Sequence, residues 1–81
     1  MNNSWLSFLY ASKLIERIKD KERVSHIIEA TKGYMKRGSL GAYNDLSNIA
    51  SGHPMDDVGW SSDEASIIIL LWNTFGEVPE N

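Results

Sequence analysis

Trp60-Ser61-Ser62-Asp63-Glu64-Ala65-Ser66-Ile67-Ile68-Ile69-Leu70-Leu71-Trp72-Asn73-Thr74-Phe75-Gly76 is the stretch that decides the fold. Ser61 and Glu64 stand at capping-box spacing, where a hydroxyl and a carboxylate satisfy two orphan backbone N–H groups at a helix start. Asp63 places charge in the first turn, where the helix dipole favours it. Trp60 holds the position of a hydrophobic staple. Three consecutive isoleucines, Ile67 to Ile69, would also suit a buried strand. No other segment alternates with period two, so that strand would have no partner. The stretch is therefore expected to be a helix, apolar on most sides, that lies at the centre of a bundle and closes at Gly76.

Working outward, the preceding segments carry helical periodicity with clear punctuation. Asn3 or Ser4 is a suitable N-cap for a first helix, on which Trp5, Phe8, Leu9, Ala11, Leu14, Ile15 and Ile18 recur at helical spacing. Trp5, Phe8 and Trp72 are expected to be core residues. A polar junction, Lys19-Asp20-Lys21-Glu22, leads to a second helix with Val24, Ile27, Ile28, Thr31, Tyr34 and Met35 as its inner stripe. Lys32, Lys36 and Arg37 complement its C-terminal dipole, and Gly38 suits the residue after it. Ser39 caps a third helix bearing Leu40, Tyr43, Leu46, Ile49 and Ala50. Gly52 ends that helix and Pro54 forbids its continuation. The stretch from Gly52 to Gly59 is too short and too apolar for a tether and predicts an ordered loop. The fold class expected is all-α, a compact bundle of about four helices with a central apolar C-terminal helix.

Eighty-one residues make a single helical domain, 1–81, with no room for a second core. Apolar residues at 42% and charged residues at 23% place it among globular rather than disordered chains. There is no cysteine, which excludes a disulfide framework and a thiolate metal site and fits a cytoplasmic setting. The N-terminus lacks the positive n-region of a signal peptide. The longest apolar run, Ile67 to Trp72, falls far short of the ~20 residues that span a bilayer. No cofactor motif is present.

The charges are segregated along the chain. Residues 1–37 hold all eight basic side chains and four acids, whereas residues 38–81 hold seven acids and no base. The two parts carry +4 and −7, within a net charge of −3. Such asymmetry bears on partners and association rates rather than on fold. The acids concentrate in Pro54-Met55-Asp56-Asp57-Val58-Gly59-Trp60-Ser61-Ser62-Asp63-Glu64. Carboxylates ordered beside a helix N-terminus steer a cationic partner and fix its register, and a tryptophan among them suits a binding anchor. Capping accounts for Asp63 and Glu64 equally well, but Asp56 and Asp57 have no such structural duty. Tyr43 and Asp45, placed on the exposed side of helix three, would extend the patch.

Other chemistries find less support. His53, Asp56 and Asp57 lack the regular spacing of a calcium loop and its glutamate at the twelfth position. His26, beside Glu29, is expected to be a solvated surface histidine. Neither histidine joins a nucleophilic constellation and the glycines form no phosphate cradle, so a binding protein is expected rather than an enzyme. Lys13, Arg17, Lys32, Lys36 and Arg37 would have to serve any nucleic-acid face. However, acids are interleaved at i,i+3 spacing, as on an ordinary solvated helix face.

Several features are also shared with a known family. They are Tyr34-Met35-Lys36-Arg37-Gly38, Gly41-Ala42-Tyr43-Asn44-Asp45-Leu46, the acidic loop, Ser61-Ser62-Asp63-Glu64-Ala65, Leu70-Leu71-Trp72 and Phe75-Gly76. With these the chain resembles small helical immunity proteins of polymorphic-toxin systems, especially the MafI type. The pattern covers about half the chain, from helix two onward, and consists largely of caps and core positions. The resemblance implies an antitoxin for a secreted or contact-delivered toxin, often an RNase or DNase. Colicin-type nuclease immunity proteins look similar only around Gly52-His53-Pro54 and Trp72, and their tyrosine pair is absent. On this reading Asp56, Asp57, Asp63 and Glu64 supply charge to a basic toxin site and Trp60 supplies buried area. The alternatives are a small DNA- or RNA-binding regulator from a mobile element, or a phage-encoded inhibitor of a host defence complex.

Overall fold

The computed structural model describes residues 4–53 and 59–79. It contains α1 (Ser4–Glu16), α2 (Lys21–Arg37), α3 (Leu40–Ala50) and α4 (Ser62–Phe75), with no strand among the described residues. Each boundary has a local cause. The last turn of α1 tightens into i→i−3 hydrogen bonds, Arg17 N–H to Leu14 O and Ile18 N–H to Ile15 O. The Asp20 carboxylate accepts from the Glu22 N–H at 3.0 Å and caps α2. Gly38 closes α2 in the left-handed region, at φ 64°, donating to Tyr34 O. A side chain at that angle is strained, which is why glycine stands there. The Ser39 hydroxyl caps α3 through the Ala42 N–H.

The central position of α4 follows from its composition. Ala65, Ile67, Ile68, Leu71 and Trp72 are all buried, and Ile69 and Leu70 are half-buried against the same core. The other helices each pack on α4. They contribute Ala11 from α1, Ile27 from α2, and Leu46 and Ile49 from α3. Among the described residues one polar side chain is buried with them: Thr31, whose hydroxyl donates to Ile27 O at 2.7 Å. That bond satisfies the group within its own helix and removes the cost of burying it. The radius of gyration, 11.9 Å, matches the ~12 Å of a folded chain this long.

Trp72 organises one end of the core. Its ring is fully buried, stacked 6.2 Å from Tyr34 and met edge-on by Tyr43 at 5.0 Å. Its indole N–H donates to the backbone carbonyl of Glu77 at 3.0 Å, tying the chain just past α4 to the ring edge. Gly76 sits in this close approach. Its backbone is extended, so left-handed geometry is not the reason for glycine here. A Cβ at that position would lie 2.9 Å from Met35 Sδ and 3.0 Å from Trp72 Cδ1.

Four sequence expectations need correction. Trp5 is 60% exposed and Phe8 47% exposed, so neither belongs to the core as Trp72 does. Leu9 and Ile28 are also exposed. The first helix stops at Glu16, leaving Ile18 outside it, although Ile18 still packs against the core. The third helix ends at Ala50, with Ser51 as its cap and Gly52 beyond it at φ 90°. The proposed N-cap residue Asn3 lies outside the described residues.

Candidate partner-binding surface

Asp63 and Glu64, two of the acidic residues singled out in the sequence, stand in the first turn of α4, and the local structure there is built by Glu64. The expected capping box is present: the Ser61 hydroxyl accepts from the Glu64 N–H and the Glu64 carboxylate accepts from the Ser61 N–H at 2.9 Å. The same carboxylate is also gripped from α2. Arg23 donates to it through Nε, and through Nη2 at 2.9 Å, a two-pronged charge-assisted pair. The Arg23 hydrogen bonds, supported by those from Ser61, hold the Glu64 carboxyl down at about 2. Glu64 in turn raises the pKa of Arg23.

Arg23 also lies over the ring of Trp60, its Cζ 5.2 Å from the ring centroid. His26 stacks on the same ring at 5.3 Å, and the Trp60 indole N–H donates to the Tyr34 hydroxyl at 3.1 Å. Trp60 is therefore clamped along α2 by Arg23, His26 and Tyr34, a larger role than stapling α4 alone. His26 is exposed, as expected, but rests on an aromatic face rather than standing free in solvent.

Of the seven residues proposed for partner contact, three meet at this end of α4. Asp63 is exposed in the first turn. Glu64 and Trp60 are half-buried and occupied by contacts within the chain, so neither is a free charge or a free anchor. Asp56 and Asp57 lie outside the described residues. Tyr43 and Asp45 belong to a different place. Ser62 Oγ donates to Ala50 O at 3.2 Å, and the Tyr43 hydroxyl donates to Asn73 Oδ1 at 2.7 Å. Those two links make α3 and α4 antiparallel and put Tyr43 about 16 Å along α4 from Ser62, at 1.5 Å per residue. Tyr43 is also half-buried against Trp72, not on an exposed face, because its ring completes the core. Asp45 is half-buried on the same helix.

Arg23 is indistinguishable in the sequence from the other seven bases. Its partner is forty-one residues away, and nothing local marks it. The remaining cations weighed for a nucleic-acid face are partly engaged as well: Lys32 pairs with Glu29 at 3.1 Å, and Arg37 lies over the Tyr34 ring. Among the described residues no helix is long and apolar enough to cross a membrane. No family model, curated protein or solved structure matches this chain.

Proposed function

We propose that the chain is an immunity protein that binds and neutralises a cognate toxin, a nuclease with a basic surface, through the acidic second half of the sequence. The observation that carries this reading is the charge asymmetry: seven acids and no base from residue 38 onward. A nuclease gathers cations where it holds the phosphate backbone. An acid-only surface competes for that site and accelerates encounter by steering. The one described cation that reaches this half, Arg23, is neutralised by Glu64, while Asp63 beside it is exposed. In this account Asp63, Asp56 and Asp57 face the toxin. Arg23, Trp60 and Glu64 hold the helix end beside Asp63 in place.

The test co-expresses the chain with the toxin-sized reading frame adjacent to its own. Expected are growth arrest relieved by this chain, a complex that weakens with salt, and slower association after Asp56→Lys with Asp57→Lys at an unchanged thermal midpoint. Arrest that the chain does not relieve overturns the toxin reading. Normal protection by the double variant overturns the acidic-surface reading.

A further inference from the structure

The structure leaves an aromatic face uncovered at the end of the molecule away from Asp63. Trp5, Phe8 and Leu9 follow i, i+3, i+4 spacing along α1, and Phe75 at the end of α4 meets Phe8 edge-on at 6.1 Å. Their exposures are 60%, 47%, 44% and 66% respectively. Buried Ala11 neighbours Phe8 on the helix wheel but lies about 120° from Trp5 and about 160° from Leu9, at roughly 100° per residue, so the stripe turns away from the core on the Trp5–Leu9 side. From Ser4 to Ser12 no residue is charged. Burying this face would strand no ion.

We infer that this face is the dimerisation surface of the protein, covered by the α1 helix of a second copy packed antiparallel to it. The area fits. Aromatic side chains that each offer ~150–250 Å² leave, with Leu9, on the order of 400 Å² of apolar surface at these exposures. A standard interface takes about 800 Å² from each partner, and about 65% of a homodimer interface is apolar. The patch therefore supplies most of the roughly 500 Å² required, and polar residues of α1 supply the rim.

Charge selects the orientation. A parallel pair would set Lys13 against Lys13 and Glu16 against Glu16, and like charges across an interface are costly. An antiparallel pair with its two-fold axis between Phe8 and Leu9 sets Trp5 opposite Ser12 of the copy. Lys13 then falls against the copy's uncharged Ser4. A large ring over a small residue at both ends is the self-complementary arrangement an isologous interface needs. The fourteen residues of α4 separate this face from Asp63 by about 20 Å. The dimer thus leaves both acidic ends accessible, and the inference holds whatever those ends bind.

The test is sedimentation equilibrium of the full chain from about 1 μM to a few hundred μM, the weak end of the range such interfaces span. A concentration-dependent species of twice 9.1 kDa is expected. Leu9→Glu and, separately, Phe75→Glu should each raise the dissociation constant at least about tenfold with helical circular dichroism unchanged. Using two variants on different helices guards against a folding defect in either. A wild-type chain that stays monomeric throughout overturns the inference, as does a dimer that both folded variants retain. Monomeric chain that binds phosphatidylcholine–phosphatidylglycerol vesicles through Trp5, lost in Leu9→Glu, also overturns it and assigns the face to a lipid surface.

Discussion

Arg23 in α2 and Glu64 in α4 are forty-one residues apart, yet the guanidinium of one donates twice to the carboxylate of the other. Glu64 is at the same time the second half of the α4 capping box. One side chain thereby fixes both where α4 begins and how that end lies on α2. Removing either partner should loosen both relationships together.

Arg23→Ala should lower the thermal midpoint more than Glu64→Gln does. The alanine variant leaves a carboxylate that is 14% exposed without its counter-ion, whereas the glutamine variant leaves no unpaired anion. Thermal melts of both variants and of the double variant check this. Equal, additive losses would mean that the pair does not couple.

Stability should also fall in acid through this group. The Glu64 carboxyl titrates at about 2 when folded, against an ordinary value of 4.5. A carboxyl depressed on folding adds stability that is fully present above its unfolded value and is lost as pH drops through its folded value. The difference in melting temperature between the wild type and Glu64→Gln should therefore shrink as pH is lowered from about 5 to about 2. A difference constant over that window would contradict the assignment.

Ser61→Ala removes one half of the capping box and should cost about 1 kcal/mol. For a domain this small that is a drop of about 4–8 °C in Tm. Ser61→Asp, which can still cap, should retain most of it.

Gly76→Ala should destabilise by overpacking, on the order of 1–3 kcal/mol. The added methyl meets Met35 Sδ and Trp72 Cδ1 at 3.0 Å or closer, and the Trp72 ring is fixed by burial on all sides. Hydrogen exchange should speed up at residues 76–79 in this variant, because the Trp72–Glu77 bond has to shift.

Tyr43→Phe tests the corrected placement of that residue. It removes the donor to Asn73 and should cost about 1 kcal/mol of stability. Association with a basic partner should be unchanged, since the hydroxyl is turned to Asn73 rather than outward. Faster or slower association in this variant would restore Tyr43 to the proposed partner surface.

What could be read from the sequence was what neighbouring residues decide among themselves. Ser61 and Glu64 are three apart, and Gly38 follows a run of cations, so helix ends were visible in the chain. The burial of Trp72 followed from a segment apolar on nearly every side. The reach of Arg23 to Glu64 was hidden because helical spacing says nothing about which helix lies opposite. Trp5, Phe8 and Leu9 were misplaced for a related reason. Periodicity shows that they share a face, but Ala11, Leu14 and Ile15 are the residues of α1 that pack into the core. Gly76 was recognisable as a stop, while its crowding by Met35 arises only from packing.

The link from Ser62 to Ala50 has a consequence for how such a molecule diversifies. It ties together the ends of the two helices that flank residues 54–58, which also share the core through Leu46, Ile49 and Ala65. Doubling the length of a connection between fixed ends costs only about 0.6 kcal/mol. Residues exchanged or added between those two ends would therefore cost the scaffold little.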